Sequence, residues 1–184
     1  MAYPHFVSIR GEKIAIKTDY KTALRCFDVI NDENISDLER ALAVVYILYG
    51  YIPDDELISD YLDKAQKFLQ CGESKEEQDG KEADMDFNID RKYINASFMS
   101  DYHIDLEQSP NMHFWQFCEL IQGLTDKCVL SRIRHIRNCD VKDYAEKDRP
   151  AIRKAKEELA LPMKQTKEQQ EAIDLFEARL RGEV

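Results

Sequence analysis

The chain has 184 residues, enough for one domain with a substantial core. Charged residues make up 34% and hydrophobic residues 43%, the balance of a folded but heavily solvated protein. A formal net charge of −10 argues against general nucleic-acid binding, which needs a net basic face, and the six glycines and five prolines are too few for the turns of an all-β sandwich.

The N-terminal MAYPHFVSIRGEK lacks the basic-then-apolar order of a signal peptide. Five cysteines at wide spacings, with no C-x-x-C, suggest neither a disulfide framework nor a zinc module and fit a reducing cytoplasm. Residues 5–17 read as a β-hairpin: HFVSI and EKIAIK flank Arg10-Gly11, and the second run alternates. From Thr18-Asp19 the period becomes helical, with Tyr20, Ala23, Leu24, Phe27 and Ile30 on one stripe and either Thr18 or Asp19 able to cap.

Ser36 and Glu39 spell a capping box for a second helix. Leu38, Ala41, Leu42, Val45, Leu48 and Tyr49 form its stripe, and Val44 and Ile47 widen it until the helix is apolar nearly all round, which predicts a central place in the core. The apolar run from Ala41 to Ile52 is broken by Gly50 and is too short to span a bilayer. Pro53-Asp54 opens a third helix that buries Leu57, Ile58, Tyr61, Leu62, Ala65, Phe68 and Leu69 and stops at Cys71-Gly72. Residues 73–86 then carry seven acids and two lysines with almost nothing apolar, so a mobile loop is expected.

Helical pattern resumes near Asn88, with Ile89, Tyr93 and Ala96 on one face, Ile94 and Phe98 beside it, and Asn95 and Ser97 pointing elsewhere. The phrase YINASF within it resembles one found in protein tyrosine phosphatases. Those enzymes need a thiolate and an arginine six residues later, joined by a glycine-rich phosphate loop. Cys128 and Arg134 have that spacing, but no glycine lies between them and the segment reads as a helix, so the six letters are read as coincidence. Asp101, His103 and Asp105 would share one face of an extended segment and could ligate a metal, but a polar exit from the preceding helix explains them better.

His113, Phe114, Trp115, Phe117, Cys118 and Ile121 form the densest aromatic group and read as core. Thr125 or Asp126 can cap a helix from Cys128 to Arg137, whose Arg132, Arg134, His135 and Arg137 give a basic face suited to solvent or an acidic partner. Residues 140–161 read as a surface helix pair broken at Pro150. Ile173, Phe176 and Leu180 lie on a narrow stripe that either docks on the domain or awaits a partner helix. The expected architecture is mainly α: a multi-helix, bundle-like domain over 1–162 behind the short hairpin, then a helical tail over 163–184. Leu42, Val45, Phe68, Phe98, Trp115 and Ile133 are its expected core residues. No nucleophile elbow, Gly-rich phosphate loop or H-E-x-x-H is present, so neither catalysis nor a cofactor or metal is expected.

The order of TDYKTALRCFDVI, YGYIP, KFLQCG, DFNIDRKYINASFMSDYHIDL, MHFWQFCELIQGL and IRHIRNCD resembles the bacteriophage gp-fifteen family. Its members are encoded between the major tail protein and the tape-measure protein of long-tailed phages. The resemblance implies a tail assembly chaperone in the host bacterial cytoplasm that binds the tape-measure protein, assists tube polymerisation and is absent from the finished virion. The major tail protein or a second chaperone would be further partners, self-association is compatible with such a role, and neither nucleic acid nor membrane is implied. Partner-binding candidates are Ile173, Phe176, Leu180, Arg132, Arg134 and Arg137. The alternative is a prophage-encoded adaptor or regulatory protein that binds a host target.

Overall fold

A computed structural model describes residues 3–72, 84–109 and 111–162. The chain divides into two compact units, 1–140 and 141–184. The first begins with an antiparallel hairpin, β1 (Phe6–Ile9) and β2 (Glu12–Ala15), in which Val7 faces Ile14 and Ile9 faces Glu12. Arg10 and Gly11 both take positive φ at the turn. Among the described residues six helices follow: α1 (Tyr20–Ile30), α2 (Asp37–Tyr49), α3 (Ile58–Leu69), α4 (Arg91–Tyr102), α5 (Phe114–Gln122) and α6 (Val129–Asn138). The protein is mainly α, as its composition and periodicity predict.

Local chemistry sets the helix ends. Asp19 caps α1 by accepting from the Thr22 amide at 2.8 Å. The Ser36–Glu39 capping box is formed in both directions, and Gly50 closes α2 in the left-handed conformation at φ 85°. After Pro53 a single 3-10 turn, Asp55–Leu57, leads into α3. Cys71 and Gly72 then end the helix with positive φ. Gly72 also lies flat against Trp115, and a Cβ there would meet the indole at 2.9 Å.

The core gathers around α5. Phe114, Phe117 and Ile121 are buried, and the Phe117 ring stacks on Tyr20 at 4.9 Å and on Phe98 at 5.4 Å. Val45, Phe68, Phe98 and Ile133 are buried as predicted. Trp115 is half-buried, packing beside Phe68 while its indole N–H donates to the Phe68 carbonyl at 2.8 Å. Leu42 departs from expectation: it is half-buried and outside the core cluster, because α2 packs on α1 and α3 without being enclosed.

Helix α4 also turns differently from its apolar pattern. Its buried side is Ile94, Ser97 and Phe98, whereas Ile89 and Ala96 are exposed. The hydroxyl of Ser97 accepts from the Leu130 amide at 3.1 Å, so a polar group is accommodated in the core. Asn95 accepts from the Leu106 amide at 3.2 Å.

The start of the chain is tied to α5. Tyr20 N–H donates to Met112 O at 2.9 Å and Phe114 N–H to Thr18 O at 2.7 Å, a short bridge between the entries to α1 and α5. His113 caps α5 by accepting from the Trp115 amide at 3.1 Å. Its other ring nitrogen meets the Pro4 carbonyl at 3.0 Å, and Tyr3 stacks on the imidazole.

The second unit contains a 3-10 turn, Val141–Asp143, and α7 (Arg149–Leu159). Pro150 opens α7 instead of breaking a helix pair, since a proline in the first turn lacks only an amide that would be unpaired anyway. Arg149 donates back to the Tyr144 and Lys142 carbonyls.

Candidate partner-binding surfaces

The basic face of α6 is largely engaged within the fold. The Arg137 side chain is 8% exposed and grips Asp90, itself wholly buried, through two bonds of 2.6 and 2.8 Å. Asp90 also accepts from the Asp86 amide at 3.0 Å. These bonds hold the Arg137 proton more firmly than usual. Arg134 meets Asp84 at 3.1 Å. Of the three arginines proposed for binding, only Arg132 is classed as exposed. The face reads as basic in sequence because its acids, Asp84 and Asp90, lie some fifty residues upstream.

Those contacts also revise the end of the acidic stretch. Residues 73–83 lie outside the described residues, but Asp84 binds Arg134 and Asn138, and Met85 packs against the core. Asp86 accepts from the amides of Asn88 and Ile89 and so shapes the turn into α4. Residues 84–86 are therefore anchored and are not part of a loop free of contacts. Ile173, Phe176 and Leu180 lie outside the described residues.

Cys128 stands at the N-cap of α6, a place expected for Thr125 or Asp126, and its sulfur accepts from the Ser131 amide at 3.4 Å. The amides of the second to fourth residues after it are taken: Leu130 donates to Ser97, Ser131 to the sulfur and Arg132 to the Cys128 carbonyl. Burial raises the thiol pKa, but hydrogen bonds with Ser131 and Ser97 outweigh it and leave a net lowering. The Cys128–Arg134 spacing thus builds a helix start, with no cradle of open amides for phosphate.

Asp101 accepts from the amide and hydroxyl of Thr125 at 2.8 and 2.9 Å. Asp105 accepts from the Glu107 amide and the Gln108 side chain. His103 closes α4 with φ 57°. Among the described residues no three His, Cys, Asp or Glu side chains are placed to hold a metal. A cleft of about 230 Å³ opens between α1 and α4. Its lining carries the cations Lys21, Arg25 and Arg91, of which Lys21 and Arg91 share Glu107 at 3.5 and 2.8 Å.

The open apolar surface lies elsewhere. Leu38 is 65% exposed, Tyr46 58% and Ile52 51%. These are binding candidates that a central placement of α2 conceals. The clue in the sequence is its excess: α2 is apolar on more sides than two neighbouring helices can cover.

No helix among the described residues is long and apolar enough to cross a membrane. No curated protein and no solved structure matches the chain. A family model does: Bacteriophage Gp15 protein, over residues 3–161. That match takes in the hairpin and all seven helices of the described residues, the half-covered α2 among them, and the chain belongs to the bacteriophage Gp15 protein family.

Proposed function

We propose that this phage protein is a tail assembly chaperone. It binds the tape-measure protein in the cytoplasm of the infected bacterium, helps the tail tube to polymerise and leaves before the virion is complete. The observation that carries this reading is the pairing of exposed apolar side chains on α2 with a net charge of −10. A tape measure is a long, helix-rich chain that must stay soluble until the tube encloses it. Apolar surface on the chaperone covers apolar stripes on its client, and the excess negative charge keeps the complex apart from others like it. The role is binding, without a catalytic step or a cofactor.

Co-expression should move the tape-measure protein from the insoluble to the soluble fraction, and the two should co-elute. Moderate salt should weaken the association without abolishing it, because apolar burial survives screening. A phage lacking the gene should fill heads but make no tails, and purified virions should lack the protein. Normal tails without it would refute the chaperone role and favour an adaptor that binds a host protein.

A further inference from the structure

Leu38, Leu42 and Tyr46 recur every four residues, which sets them along one side of α2, and Ile35 stands just ahead of its Ser36 cap. Leu38 and Tyr46 are mostly exposed, while Ile35 and Leu42 are half-buried and neither belongs to the core cluster. Val44, Val45, Leu48 and Tyr49 supply the helix's buried side. A helix apolar nearly all round is ordinarily enclosed, so a face left open in this way is one that packing has not completed. The surface is also well anchored, since the capping box at Ser36 and Glu39 fixes the turn that carries Leu38.

Charge indicates what completes it. Between Asn31 and Leu57 the sequence holds seven acids and one cation, Arg40. That guanidinium is already bound to Asp37 and to the carbonyls of Asp32 and Ile35. A second copy of the chain meeting this face through a two-fold axis would bring like charges together, whereas a helix with basic margins would turn the same acids into attraction and faster encounter. From Leu38 to Tyr46 the stripe runs about 12 Å, two turns of a helix laid along it.

We propose that the Leu38–Tyr46 face of α2 docks one amphipathic helix whose apolar seam is flanked by Lys and Arg. The inference rests on the chaperone reading only in taking the tape-measure protein as the natural source of such a helix.

The test uses the full chain and two synthetic helical peptides that share a leucine seam, one with lysine margins and one with glutamate margins. A Leu38→Asp/Tyr46→Asp variant alters the face, an Ile89→Asp/Met99→Asp variant alters exposed apolar positions elsewhere, and thermal melts check that both fold. The lysine peptide should bind the wild type and the Ile89/Met99 variant, and should lose at least about tenfold in affinity for the Leu38/Tyr46 variant. The glutamate peptide should bind the wild type at least about tenfold more weakly, a comparison that holds even if a variant misfolds. Equal binding of the two peptides, or undiminished binding by the folded Leu38/Tyr46 variant, overturns the assignment. So does a wild-type dimer in sedimentation that this variant dissociates. If tape-measure protein co-elutes equally with wild type and variant, the face is wrong while the chaperone reading stands. If the lysine peptide binds as described and the tape-measure protein does not, the face stands and the chaperone reading falls.

Discussion

Replacing Asp90 by alanine should be among the most damaging single changes in the first unit. The carboxylate is wholly buried and accepts from Arg137 at 2.6 and 2.8 Å, with the Asp86 amide as a third donor at 3.0 Å. Asp90→Ala would take the counter-ion from a guanidinium whose side chain is only 8% exposed, although the Asp84 carbonyl still accepts from it at 2.9 Å, and would leave the Asp86 amide without its acceptor. Breaking one side of a buried pair typically costs about 3–5 kcal/mol. That is a large share of the roughly 5–15 kcal/mol that holds a domain together. Removing both charges, as Asp90→Leu/Arg137→Met, eliminates the stranded cation as well as the attraction. It should cost less than Asp90→Ala alone, since apolar replacement of a buried pair is often neutral. Urea denaturation of Asp90→Leu, Arg137→Met and the double variant forms a cycle that isolates the pair. A loss below about 1 kcal/mol for Asp90→Ala would mean that the pair behaves as a surface bridge, and the reasoning about its burial would be wrong. Arg132→Ala, on an exposed neighbour, should stay within about 0.5 kcal/mol.

Burial holds the pKa of His113 below its ordinary 6.5, so the unfolded chain takes up that proton more readily than the folded one. The stability due to neutral His113 is complete above about pH 6.5 and declines as pH falls below it, and a His113→Gln variant should show a flatter melting profile between pH 7.5 and 5.5. Gly72→Ala should lower the melting midpoint measurably, because the new Cβ would meet Trp115 at 2.9 Å on a backbone of positive φ; an unchanged midpoint would show that the indole moves aside freely. Asp84→Ala should cost about 1 kcal/mol in chemical denaturation, as expected for a half-buried bridge to Arg134 with an added bond from Asn138.

Features written in neighbouring residues were legible in the sequence. The hairpin about Arg10-Gly11, the Ser36–Glu39 box and the Gly50 stop each rest on interactions within a few positions. The aromatic group around Phe117 was legible as core for a similar reason, since its spacing and its bulk agree. Helix α4 was misread because a periodic pattern treats polar residues as outward. Asp90 and Ser97 are buried by partners 47 and 33 positions away, on α6. The same distance concealed the fate of Arg134 and Arg137. Helix α2 was misread in the opposite sense: an apolar surface says that something covers it, without saying that the cover belongs to the same chain.

The bridge between the entries to α1 and α5 has a consequence for synthesis. Thr18 and Phe114, joined through 2.7 Å, are 96 positions apart, and Tyr20 waits for Met112 in the same way. At about 5–20 residues per second, roughly 5–19 s separate the emergence of the two sides. During that interval the aromatic side chains of α1 lack the Phe117 ring on which Tyr20 finally stacks. The N-terminal part of a nascent chain therefore keeps this aromatic surface uncovered until α5 emerges. Contacts of such long range also slow the search for the native state, and fusions that restrain Tyr3 or His5 should slow it further.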